Sequence, residues 1–105
     1  MNIKTLKDLI SQEKALLLYF TTTDCNVCKS LKPKLLQMVE TQFPNFTFLE
    51  IDSAKNQEIS AKLSIFSVPT ILIFFQGAEH YRKSRYINTK EFAKELQRPY
   101  KIFFQ

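Results

Sequence analysis

Two unbroken apolar runs, Ala15-Leu16-Leu17-Leu18-Tyr19-Phe20 and Ile71-Leu72-Ile73-Phe74-Phe75, constrain this fold more than any other feature of the chain. Each has the length of a strand and is too short for a typical helix. A strand that is apolar at every position must be covered on both faces. The segments around the runs supply that cover. Thr5 with Asp8 three residues on reads as a helix start, and Leu6, Leu9 and Ile10 recur at helical spacing, which predicts a helix over residues 5–13. Cys28, Leu31, Leu35, Met38, Val39 and Phe43 repeat at a helical period and predict the longest helix, over residues 25–43, kinked at Pro33. Alternation from Phe46 to Asp52 predicts a strand, and Ile59 with Leu63 a short helix over residues 56–64. Gln76-Gly77 marks a turn, and residues 80–87 read as an exposed antiparallel edge strand. Asn88-Thr89-Lys90-Glu91 is a capping box for a last helix to residue 97, with Pro99 as its stop.

The element order α-β-α-β-α-β-β-α carries no linker, repeat or low-complexity segment. It predicts an α/β fold, one mixed sheet of four to five strands with helices on both faces, its first three strands joined by right-handed crossovers. A length of 105 residues suits one domain spanning residues 1–105. Ten Phe and four Tyr, with no Trp, point to a core of flat, bulky side chains.

The formal charge of +5 raises nucleic acid or an acidic surface as a partner. Its location argues against nucleic acid. Residues 1–80 hold eight Lys against eight Asp plus Glu, whereas residues 81–105 hold seven Lys plus Arg against two Glu. The whole excess lies on the expected edge strand and last helix, where charge protects a sheet edge from unwanted pairing and can bias partner choice. No aromatic-glycine RNA motif, zinc finger or helix-turn-helix pattern accompanies it. No stretch approaches the ~20 apolar residues of a membrane span. The first apolar run leads into Thr21-Thr22-Thr23-Asp24 instead of a cleavage site, so the expected compartment is the reducing cytoplasm.

In such a compartment a cysteine pair reads as catalytic or metal-binding before structural. Cys25 and Cys28 are three apart, a spacing that random placement would give about 2% of the time. Cys25 opens the long helix, where free N–H groups and the helix dipole stabilise a thiolate. Cys28, one turn on, is placed to resolve a mixed disulfide formed at Cys25. Lys29 adds positive charge beyond the pair, and Asp24 opposes it. Zinc wants four ligands, and the chain offers two Cys and His80, leaving only a site shared by two chains. No metal is expected, and His80 reads as a surface residue. Pro69, directly before the second apolar run, alone would read as a strand-initiating proline. Paired with cysteines at a helix start it reads as a cis-proline loop facing them.

Through Cys25-Asn26-Val27-Cys28-Lys29, Pro33, Glu50-Ile51-Asp52, Val68-Pro69-Thr70 and Gly77, the chain resembles thioredoxin over essentially its whole length. The resemblance implies the thioredoxin fold and a thiol–disulfide oxidoreductase that reduces protein disulfides. It makes Cys25 the nucleophile, Cys28 the resolving thiol and Pro69 the cis-proline. The backbone of Val68 would pair with the substrate chain as an added strand. Asp24, Asn26 and Val27 complete the expected substrate contacts, and Tyr19, Lys29 and Thr70 are the residues expected to tune the redox pair. The expected partners are disulfide-containing proteins and a flavin-containing thioredoxin reductase as electron donor. No cofactor bound to the chain, no nucleic acid and no membrane is expected, and the chain is expected to be a monomer.

Several residues depart from the family pattern. Asp24 stands where the family has Trp, and Asn26-Val27 where it has Gly-Pro. Tyr19 falls at the buried acid that assists the second cysteine, and Phe48 at that acid's neighbouring lysine. Exchanging the pair for two aromatics avoids a desolvation cost, removes a proton acceptor and predicts slower resolution. Arg85 falls at a glycine of the last strand and is expected to narrow or recharge the substrate groove. These departures motivate the alternative of a thioredoxin-fold binding module with weak or no redox activity. The aromatic end Tyr100-Lys101-Ile102-Phe103-Phe104 is expected to pack under the sheet.

Overall fold

Odd- and even-numbered positions of the two apolar runs face different cores. In the computed structural model, which describes residues 1–104, the elements are α1 (Ile3–Gln12), β1 (Ala15–Thr21), α2 (Asn26–Gln42), β2 (Thr47–Asp52), α3 (Gln57–Lys62), β3 (Thr70–Phe75), β4 (Ala78–Ser84) and α4 (Thr89–Phe103). The four strands form one mixed sheet in the order β2-β1-β3-β4. Ala15, Leu17 and Tyr19 of β1 and Ile71, Ile73 and Phe75 of β3 point toward α2 and α4. Leu16, Leu18, Phe20, Leu72 and Phe74 point the other way, toward Leu6 of α1 and Ile59 of α3. Every residue of β1 and β3 is buried, as strands covered on both faces require.

β1 and β2 are parallel, joined by the α2 crossover, with Tyr19 opposite Glu50. The expected second crossover is absent, because β3 runs antiparallel to β1. The connection from β2 to β3 carries the six-residue α3, about 9 Å of helix, and does not run back along the sheet. The chain therefore re-enters the sheet at the end where β2 left it. A turn at Gln76-Gly77, with Gly77 at φ +83°, then pairs β4 antiparallel to β3.

Three elements differ most in their bounds from those read in the sequence. The cap of α1 is Asn2, whose side chain accepts from the Thr5 N–H at 2.8 Å, so the helix begins at Ile3 and not at Thr5. β4 starts at Ala78, directly after the turn, and ends at Ser84, so residues 85–87 of the expected strand lie beyond it. α4 does not stop at Pro99 but runs to Phe103. Pro99 cannot donate to the Glu95 carbonyl, and the Tyr81 hydroxyl donates to that oxygen instead, at 3.3 Å. Packing supplies the other reason. Phe103 stacks on Phe75 with centroids 4.7 Å apart, Tyr100 meets Phe43 edge-on, and the Asn45 N–H donates to the Tyr100 hydroxyl.

Candidate active site

The strand-to-helix turn after β1 delivers both cysteines. Cys25 caps α2 with an extended backbone, and its Sγ accepts from the Cys28 N–H at 3.1 Å. Sulfur replaces the oxygen that usually caps a helix, so the first-turn N–H groups and the dipole are aimed at it. Cys25 and Cys28 form a disulfide, with Cα atoms 5.2 Å apart. Cys25 is half-buried, whereas Cys28 is only 2% exposed. The first sulfur can be reached by another molecule, and the second by little but the first.

β3 brings up the other side. The Val68–Pro69 peptide is cis, and Val68 and Pro69 line a cavity of about 460 Å³ together with Cys25, Asn26 and Val27. Thr70 lies outside this lining. Its hydroxyl donates to the Ser67 carbonyl at 2.7 Å and contacts Ser84 Oγ, which braces the loop carrying Pro69. Asp24 is exposed beside Cys25 and lines neither this cavity nor the cleft described next.

Tyr19 lies beneath the pair. Its hydroxyl donates to the Cys28 carbonyl at 2.6 Å, and its ring packs near Phe48, centroids 6.0 Å apart. Burial, with help from the Glu50 carboxylate, pushes its pKa up to about 12, so at neutral pH it is a fixed donor and no base. On the far side of Cys28 a cleft of about 400 Å³ is lined by Lys29, Lys32, Glu50 and Asp52. Glu50 pairs with Lys32 at 2.7 Å and accepts from the Thr21 hydroxyl at 3.0 Å. The Lys32 hydrogen bond holds the Glu50 carboxyl below its usual range, chiefly against the cost of burial. The Lys55 N–H does the same for Asp52.

The Glu50–Lys32 pair escaped the sequence reading. Lys32 lies one turn beyond Cys28 on the same helix, and Glu50 two residues beyond Phe48 on the same strand face. Only the register that sets Tyr19 opposite Glu50 brings them to one cleft. Arg85 and Tyr86, the latter fully exposed, border Cys25 from beyond the end of β4. The residues form two compartments: a cavity around Cys25 with apolar walls, and a charged cleft behind Cys28.

The arrangement has counterparts. The family model described as Thioredoxin matches residues 1–98. Thioredoxin-like protein YdfQ of Bacillus subtilis is 28% identical over 102 residues, covering 97% of this chain and 90% of that protein. The bifunctional thioredoxin reductase/thioredoxin of Mycobacterium leprae is 30% identical over 76 residues, 72% of this chain but 16% of that longer protein. Among solved structures, oxidized mitochondrial thioredoxin 3 from Saccharomyces cerevisiae shares the fold with a TM-score of 0.80 at 22% identity, covering 92% of this chain and 90% of the other.

Proposed function

The chain belongs to the thioredoxin family and is a protein thiol–disulfide oxidoreductase, and from that premise we propose that Cys25 is its attacking thiol and Cys28 its resolving thiol. The observation that carries the assignment is the unequal placement of the sulfurs. Cys25 Sγ is accessible and faces an N–H at a helix N-terminus, while Cys28 is closed off behind it. In the reduced protein the Cys25 thiolate attacks one sulfur of a target disulfide. That bond breaks, one target thiolate leaves and takes a proton from water, and a mixed disulfide remains. Cys28 loses its proton and attacks Cys25 Sγ. The Cys25–Cys28 disulfide forms, the second target thiolate leaves, and two electrons have passed to the target.

Tyr19 supports a slow second step. A phenol committed as donor to the Cys28 carbonyl does not accept the Cys28 proton. Two carboxylates line the adjoining cleft, Glu50 and Asp52, and because both are held below their usual range they are modest acceptors for that proton. Val68 presents backbone beside Pro69 for an added substrate strand, with Asn26 and Val27 as the opposite wall, Asp24 at the rim, Lys29 charging the cleft and Thr70 holding the loop.

We assign the chain the reducing direction, as a single domain over residues 1–105, acting as a monomer in the cytoplasm on disulfide-bearing proteins. Electrons would come from a flavin-containing thioredoxin reductase. The M. leprae relative, which joins a reductase and a thioredoxin in one protein, supports that donor. Insulin reduction with dithiothreitol tests the assignment: the native protein accelerates it and Cys25→Ser does not. Equal rates for the two proteins would overturn it. A Cys25–Cys28 potential near about −270 mV fits a reductant, and one above about −200 mV would reverse the direction.

A further inference from the structure

The cavity at Cys25 does not end at Tyr86. A second depression, about 600 Å³, shares Val27, Arg85 and Tyr86 with it and continues to Lys34 and Lys90. Val27, Leu31 and Lys34 follow one face of α2 at helical spacing, so the two depressions make one groove leading from Cys25 along that helix. It ends against the first turn of α4.

Its walls combine two chemistries. Val27, 60% exposed, and Tyr86, fully exposed, offer apolar surface that only a partner would cover. The charged residues lining it are Lys34, Arg85 and Lys90, with no carboxylate among them. The ion pairs among the described residues are Lys32–Glu50, Arg82–Glu79 and Lys83–Glu95, so none of these three cations is in one. Glu91, next to Lys90, and Glu95 line an adjoining depression that meets the groove at Tyr86, Ile87 and Asn88, and there Glu95 is paired with Lys83. The N-terminus of α4 is closed by its own cap, since Asn88 accepts from the Lys90 and Glu91 N–H groups. The groove's attraction therefore comes from side-chain charge. Arg85 is held at the junction by its N–H, which donates to the Pro69 carbonyl at 3.0 Å. The cleft behind Cys28 is balanced, Lys29 and Lys32 against Glu50 and Asp52.

We propose that this groove selects the substrate: among disulfide-bearing segments it prefers those with Asp or Glu and an apolar residue within a few positions of the attacked cysteine. The inference rests on Cys25 as the attacking thiol and adds the chemical class of what Cys25 attacks. Carboxylates on such a segment meet three cations that stand in no ion pair, and its apolar side chain covers Val27 and Tyr86.

The test uses the reduced native protein and two cyclic peptides closed by one disulfide, identical except for two flanking Glu in one and two flanking Lys in the other. Each second-order rate is divided by that of dithiothreitol on the same peptide, which removes intrinsic reactivity. The Glu peptide should be favoured at least fivefold at 10 mM salt and the preference should fall toward one at 0.5 M. Lys34→Gln with Lys90→Gln should bring the ratio near one, and Lys34→Glu with Lys90→Glu should invert it. A native ratio within twofold of one, or a ratio unmoved in both variants, overturns the groove. Bis(2-hydroxyethyl) disulfide, small and neutral, separates the two readings. If native protein reduces it without preferring either peptide, the groove alone falls. If it reduces neither this compound nor the peptides, the attacking-thiol reading falls and the groove with it.

Discussion

Tyr19 meets two demands at one position. Its ring fills the core below α2, and its hydroxyl satisfies a carbonyl of the helix turn that carries the disulfide. Tyr19→Phe keeps the packing and loses the bond, and should cost about 1 kcal/mol in urea denaturation. Tyr19→Asp puts a proton acceptor under Cys28. It should speed resolution of the mixed disulfide several-fold in rapid-quench trapping, while lowering stability by about 3 kcal/mol. An unchanged resolution rate would remove Tyr19 from the mechanism. Arg85 carries a cost of another kind, since φ +64° is a left-handed backbone that costs a residue with a Cβ about 1 kcal/mol. Arg85→Gly should leave stability equal or raise it by up to about 1 kcal/mol. At this scale the cysteine pair and Pro69 were legible from residue type and spacing, whereas Tyr19 was singled out only by the resemblance to thioredoxin. Glu50 with Lys32 was not legible, because what joins them is the pairing of β1 with β2, which no local pattern encodes.

The helices show where local rules are overridden. Asn2 and Thr5 both qualify as caps, and the choice fell to the one whose side chain reaches the other's N–H. Pro99 ends a helix by the local rule, yet α4 continues because Tyr81 takes the freed carbonyl and Tyr100 and Phe103, beyond it, pack on Phe43, Phe46 and Phe75. The expectation that the aromatic end packs under the sheet holds for Tyr100, Phe103 and Phe104, whereas Ile102 is 60% exposed. Phe103→Ala should therefore cost about 2 kcal/mol and Ile102→Ala less than about 0.5 kcal/mol, compared by urea denaturation. Equal effects would mean that the tail does not support the fold. The edge-strand charges likewise have specific work. Arg82 pairs with Glu79 and donates to the Leu63 and Ser64 carbonyls at the end of α3, and Lys83 reaches Glu95 of α4.

The two apolar runs foretold the molecule's layering, and the direction of β3 depended on something they do not contain, the path of the connection through α3. The pH dependence of the whole follows from Glu50 and Asp52, whose carboxyls are both held below their usual range, and from Tyr19. Glu50 has a folded pKa below its usual value, so the stability it contributes is present above about pH 4.5 and is lost as pH falls through the folded value. Tyr19 ionises near 12 in the fold and near 10 in the unfolded chain, so stability declines as pH rises across that interval. Thermal melts from pH 3 to 12 should fall at both ends, with Glu50→Gln flattening the acid limb and Tyr19→Phe the alkaline one. The shared wall between the two cores has a kinetic consequence. One layer of backbone serves both sides, so neither core can loosen without the other. The amides of residues 16–20 and 71–75 should exchange with deuterium only through global unfolding, more slowly than any in α3 or at the end of α4. The first turn of α2, which carries the disulfide, rests on that wall through Cys28 and Tyr19.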